Sequence, residues 1–132
     1  MGEMQKDYVK EEYPRSAITS KIIAAAKEVH SVLGPGYQEV IYQRALVLEL
    51  PAYGLEFERE VWMDVHYKGE KIGKKRVDFI IEDVMVEIKS KGTIEDVDVI
   101  QTLSYLKASG LEVGLLLNFG SITLGIKRLI HT

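Results

Sequence analysis

The sequence predicts an α/β fold: a mixed β-sheet flanked by helices, in the order helix, helix, three strands, helix, two strands. Three observations point to it. Apolar residues between Ile18 and Leu33 recur at the 3.6-residue period of a helix, while those between Phe57 and Tyr67 alternate as in a half-buried strand. Short turns join the first three strands, which makes them an antiparallel meander; a helical segment separates strands three and four and provides the crossover that a parallel pair needs. Val113 to Phe119 is a continuous apolar run, as expected of a strand covered on both faces.

Residues 1–15 are polar and charged and read as an N-terminal tail, in which Tyr8 and Tyr13 are candidates to pack on the domain and Pro14 breaks continuity; 16–132 reads as a single domain. The first helix places Ile18, Ile22, Ala25, Ala26, Val29 and Leu33 on one stripe, with Thr19 or Ser20 as candidate caps and Gly34-Pro35-Gly36 as its end. His30 has no second histidine at ligand spacing and reads as structural or surface. The second helix runs from Gln38 to about Leu50 and is ended or kinked by Pro51. In the first strand Val61, Met63, Val65 and Tyr67 share a face, and Trp62, Asp64 and His66 share the other. Lys68-Gly69-Glu70 is a turn, and the chain returns as Lys71 to Ile81 and Val84 to Ile88. The third helix, Glu95 to Ser109, is expected to turn Val97, Ile100, Leu103 and Leu106 inward, with Tyr105 a further candidate and Gly110 as its stop. Thr123 to Ile130 reads as a last strand at a sheet edge.

The chain of 132 residues has no cysteine, which excludes disulfides and thiolate metal sites and fits a reducing compartment. No apolar run approaches the roughly 18 residues of a membrane span, and the polar N-terminus is not a secretory signal. A cytoplasmic protein without membrane association is therefore expected. The formal charge of −3 weighs against tight, non-specific duplex binding through phosphates alone. One local basic cluster stands out: Lys68, Lys71, Lys74, Lys75 and Arg76, next to Asp78. It reads either as a solvated hairpin tip or as a phosphate-facing patch. Trp62 is open to a core or sheet-face role, or to stacking on a nucleobase.

The stretch from Arg76 to Lys89 carries charge where buried strands should not. Asp78 interrupts one apolar run; Glu87 and Lys89 flank Ile88 in the next and point to the same face. If the runs pair as a hairpin, Asp78 lies near Glu87. Adjacent carboxylates repel unless a cation neutralises them, and Mg²⁺ prefers such oxygen ligands. A lysine beside the ion can orient a water or stabilise charge developing on a phosphate. The equipment suits metal-assisted phosphodiester hydrolysis. The plain alternative is an exposed strand face with a weak surface ion pair.

Further motifs stand in order along roughly residues 18 to 130: Gly36-Tyr37-Gln38-Glu39-Val40-Ile41-Tyr42, Arg76-x-Asp78, Glu87-x-Lys89, Gln101-x-x-x-Tyr105-Leu106, Gly114 to Gly120 and Lys127-Arg128-Leu129-Ile130. Together they resemble the PD-(D/E)XK nuclease superfamily and, more narrowly, the small proteins named after their GxxExxY motif. The resemblance implies a restriction-endonuclease-like core. It implies a Mg²⁺ or Mn²⁺ site at Asp78, Glu87 and the backbone carbonyl of Ile88, with Lys89 in the chemistry. Glu39 has two readings, a first-turn acid favoured by the helix dipole or a third carboxylate brought over the sheet; the resemblance favours the second. It also makes Gln101 a contributor that orients the attacking water or contacts phosphate. Tyr42 and Tyr105, on the same helical faces as Glu39 and Gln101 respectively, and Arg76 are supporting residues.

The function expected is a Mg²⁺- or Mn²⁺-dependent nuclease acting on DNA. The alternative is a non-catalytic nucleic-acid-binding or protein-adaptor module on the same scaffold, since a fold does not guarantee activity. A homodimer and a protein partner are left open.

Overall fold

The computed structural model describes residues 13–131, and the first twelve residues of the expected tail, Tyr8 among them, lie outside these. Two helices, α1 (Ser16–Leu33) and α2 (Glu39–Glu49), precede the strands β1 (Phe57–Tyr67), β2 (Glu70–Ile81) and β3 (Val84–Lys89); α3 (Asp96–Ser109) then leads to β4 (Val113–Asn118) and β5 (Gly125–Ile130). The strands form one sheet in the order β1-β2-β3-β4-β5. β3 and β4 are parallel, and every other neighbouring pair is antiparallel. The architecture is a mixed sheet between helices, an α/β restriction-endonuclease-like arrangement.

The sheet has two covered faces. On one, α1 and α2 bury Ile22, Ala26, Tyr42 and Leu46 against Phe79, Val86, Ile88, Leu115 and Leu117. On the other, Leu106 of α3 packs with Met63, Val77 and Met85. β4 is buried along its whole length because it lies in the middle of both layers. No helix among the described residues is long and apolar enough to cross a membrane.

Local chemistry sets the boundaries. α1 begins two residues earlier than its apolar stripe suggests. Arg15, at φ 61°, precedes it with no side-chain cap. Thr19 and Ser20 are not caps: their hydroxyls donate back to the carbonyls of Ser16 and Ala17. Arg15 is instead tied across the molecule to Asp83 at 2.6 Å and Glu112 at 3.6 Å. Pro51 ends α2 as expected and opens a short 3-10 turn, Leu50–Tyr53. The β1–β2 turn has both central residues at positive φ, Lys68 at 50° and Gly69 at 84°, the geometry whose twist matches paired strands.

The third helix differs from expectation. Val97 and Ile100 are more than 60% exposed and Leu103 is exposed too, while Asp98, Thr102 and Leu106 are buried. The polar pair wins the inner face because it is satisfied there. Asp98 accepts from the Glu95 amide and from Lys91 Nζ at 2.9 Å, and Thr102 donates to the Asp98 carbonyl. A buried polar group with partners costs little.

Candidate functional site

β2 and β3 pair only over Phe79–Ile81 and Val84–Val86, around the tight turn at Glu82-Asp83. Beyond Val86, β3 continues against β4 while β2 continues against β1. The sheet therefore forks, and Asp78 and Glu87 stand at the fork. β2 also turns over here. Val77 packs on the α3 side and Phe79 on the α1–α2 side, although residues two apart share a face in a regular strand. Across from Asp78, between the Arg59–Phe79 and Val61–Val77 pairs, Glu60 has φ 56°.

A fork leaves backbone donors without strand partners, and buried donors must be satisfied. The carboxylates do this crosswise. The Asp78 amide donates to Glu87 Oε2 at 2.8 Å, and the Ile88 amide donates to Asp78 Oδ2 at 2.7 Å. Within an extended strand the N–H and C=O of one residue point to the same edge, so the Ile88 carbonyl faces the fork as well. The Lys89 carbonyl points the other way and accepts from the Phe119 amide at 2.8 Å.

The electrostatics follow from this packing. Glu87 is buried, and burial, reinforced by the charge of Asp78, pushes its carboxyl up to about 8; the Asp78 amide and Lys89 oppose the shift. Glu39 stands in the first turn of α2. Its side chain as a whole is exposed, but its carboxyl end is held above its ordinary value by partial burial and then by Asp78, against the Lys89 ammonium and the Ser90 amide. Lys89 thus acts on Glu39, Glu87 and Asp98 alike. Lys91, two residues on, is committed elsewhere, with Nζ 2.8 Å from Glu95 and 2.9 Å from Asp98.

Tyr42 is fully buried behind the site. Its hydroxyl donates to the Gly34 carbonyl at 2.6 Å and accepts from the Tyr37 amide, and its ring stacks on Phe119 at 4.7 Å. These bonds pin the loop that delivers Glu39, a loop in which Gly36 takes φ 116°, a conformation open mainly to glycine. Tyr105 lies on the α3 side, its ring 4.9 Å beneath Lys75 Nζ. Its hydroxyl, more than the carboxylates Glu87 and Asp78 beyond it, keeps the Lys75 ammonium above its ordinary value. Gln101 is exposed between Asp98 and Tyr105, and its side chain makes no hydrogen bond to Asp78, Glu87 or Lys89 among the described residues. Arg76 is exposed and pairs with Glu60 at 3.1 Å.

A cleft of about 680 Å³ opens beside the fork, lined by Glu39, Arg44, Arg59, Arg76, Asp78 and Ser90 among others. Arg59 Nη2 donates to Gln43 Oε1 at 3.0 Å, while its buried Nε has no partner among the described residues. Arg44, Arg59, Lys91 and Asp98 carry no weight in the sequence reading. Asp98 has a signal, because Glu95 and Asp98 stand three apart as a capping box; Lys91 has none of that kind. The arginines had none, since they meet only through the fold.

Among the described residues no three Asp, Glu or His side chains converge closely enough to hold a metal ion by themselves. Two carboxylates and a backbone carbonyl do face the fork, all hard oxygen donors. That set matches the habit of Mg²⁺, which takes one or two carboxylates and keeps several waters. The model of the PD-(D/E)XK nuclease superfamily matches residues 16–129. No curated protein and no solved structure matches the chain.

Proposed function

We propose, from the premise that this chain belongs to the PD-(D/E)XK nuclease superfamily, that it is a Mg²⁺- or Mn²⁺-dependent nuclease hydrolysing phosphodiester bonds in DNA. The observation that carries the reading is the crossed pair at the fork. Asp78 and Glu87 are held together by each other's strands, with Lys89 beside them. Burial and the neighbouring Asp78 charge raise the proton affinity of Glu87, and a divalent cation relieves the repulsion that a proton otherwise relieves.

In this reading Asp78, Glu87 and the Ile88 carbonyl hold the ion, and Glu39 completes the oxygen set directly or through a water. When bound, the ion supplies Lewis-acid polarisation of the phosphodiester and a water of lowered pKa. Lys89 stabilises negative charge on the phosphate or orients the attacking water. Arg76, Arg59 and Arg44 hold neighbouring phosphates in the cleft. Tyr42 keeps the Glu39 loop in place. Gln101, exposed on α3, orients the attacking water or contacts phosphate, and Tyr105 positions Lys75.

A cleavage screen tests this. Purified protein is incubated with single-stranded, duplex and branched DNA and with RNA, in Mg²⁺ or Mn²⁺, beside the Lys89→Ala variant. Cleavage by the wild type and not by the variant is expected, with DNA the preferred substrate. Equal cleavage by both removes Lys89 from the chemistry and points to a contaminant. Nucleic-acid binding without cleavage of any substrate favours the non-catalytic module.

A further inference from the structure

We propose that the Trp62 face of the β1–β2 hairpin is a track for single-stranded nucleic acid, on which Trp62 stacks a base and Arg76, Arg59 and Arg44 carry the backbone toward Asp78. The proposal deepens the nuclease reading and takes from it only the chemistry at Asp78.

Trp62 lies on the edge strand β1 and is 56% exposed. A large aromatic ring in that position is normally packed away. Here it is held instead by cations, with Lys74 Nζ 4.9 Å and the Arg76 guanidinium 5.7 Å from its centroid. Lys74 has no ion-pair partner among the described residues. Arg76 pairs with Glu60 at 3.1 Å, and Lys71 with Asp64 at 3.2 Å. Both pairs are solvent-exposed, so exchanging the carboxylate for a phosphate costs little.

Arg76 joins the two parts of the track. It is the cross-strand partner of Trp62 and also lines the cleft with Arg59, Arg44, Glu39 and Asp78. Asp78 is two residues further along β2, roughly 7 Å at the usual strand rise. Arg59 also lines the cleft, and its buried Nε has no acceptor among the described residues.

The partner is single-stranded because an unpaired base has a free π-face, whereas duplex bases keep theirs in the stack. The chain's net charge of −3 gives phosphate contacts alone little pull. Stacking adds affinity that does not depend on net charge, and it tolerates any sequence.

Trp62 is the single tryptophan of the chain, so its emission reports this face alone. The full chain, in EDTA to prevent hydrolysis, is titrated with a short oligothymidylate and with a duplex of equal length. Binding is followed by tryptophan fluorescence and by anisotropy of the labelled strand. Saturable quenching by the single strand is expected, with little quenching by the duplex. Affinity should fall about ten-fold in Trp62→Ala and stay within about three-fold in Trp62→Phe. Absence of binding, binding without quenching, or wild-type affinity in Trp62→Ala each overturns the proposal. The two readings fail separately. Quenching without cleavage in Mg²⁺ or Mn²⁺ sinks the nuclease and keeps the track, whereas cleavage with an unchanged KM in Trp62→Ala sinks the track and keeps the nuclease.

Discussion

Asp78 and Glu87 are bonded crosswise: the Asp78 amide reaches the Glu87 carboxylate at 2.8 Å, and the Asp78 carboxylate takes the amide of Ile88, the residue after Glu87, at 2.7 Å. Two side chains thereby replace the rung of the ladder lost where β2 and β3 part. The same contacts that close the fork hold two acidic groups together, so structure and proposed chemistry share one set of atoms.

That sharing has a pH signature in the metal-free protein. Folded Glu87 keeps its proton up to about pH 8, whereas a carboxyl in the unfolded chain releases it near 4.5. Between those values the folded state binds more protons, so stability falls as pH rises through the window and is fullest below about 4.5. The loss is on the order of a few kcal/mol. Thermal melts in EDTA from about pH 5 to about pH 8 should show Tm declining in the wild type and a flatter profile in Glu87→Gln, which removes the titration. Parallel profiles in the two proteins would contradict the assignment.

Tyr42 should matter through its hydroxyl as well as its ring. Tyr42→Phe keeps the stack on Phe119 but strands the Gly34 carbonyl and the Tyr37 amide. A loss of about 1–3 kcal/mol in urea unfolding is expected. Because the loop delivers Glu39, cleavage should also drop at temperatures where the fold is intact. A variant as stable as the wild type would show that water replaces the hydroxyl.

Gly120 is needed for space rather than for backbone freedom. A Cβ there would lie 2.3 Å from the Lys91 amide nitrogen and 2.5 Å from its carbonyl oxygen, both backbone atoms. Gly120→Ala should therefore cost about 1–3 kcal/mol or more and displace the segment that follows Lys89. Gly73→Ala, with open space at its Cβ, serves as the control and should melt near the wild type. Equal melting of both variants would refute the close approach.

Lys89 and Lys91 should separate by readout. Lys91→Ala frees Asp98, a buried acid, and unties the start of α3. It should lower stability while leaving residual cleavage. Lys89→Ala should keep the melting temperature within a few degrees and abolish cleavage. The reverse pattern, measured by circular dichroism melts and single-turnover assays, would exchange their roles.

Much of this was legible in the sequence. The two short apolar runs around Glu82-Asp83 were enough to bring Asp78 beside Glu87, and the helical crossover was enough to make β3 and β4 parallel. The fork was not legible, because apolar alternation says which face a residue takes and nothing about how far two strands stay paired. The inner face of α3 was not legible, because its apolar stripe, Val97, Ile100 and Leu103, is outweighed by Asp98 and Thr102, whose partners lie on other segments or a full turn away. The arginines of the cleft come from α2, β1 and β2, and only the folded chain brings them together.

The most direct measurement is calorimetric titration of Mn²⁺ into the wild type and into the Asp78→Asn/Glu87→Gln variant near pH 7. Folded Glu87 is largely protonated there, so ion binding should release a proton, and the heat should vary with the ionisation enthalpy of the buffer. One Mn²⁺ per chain with proton release is expected in the wild type, and no binding in the variant. Equal binding by both proteins, or none by either, would contradict that expectation.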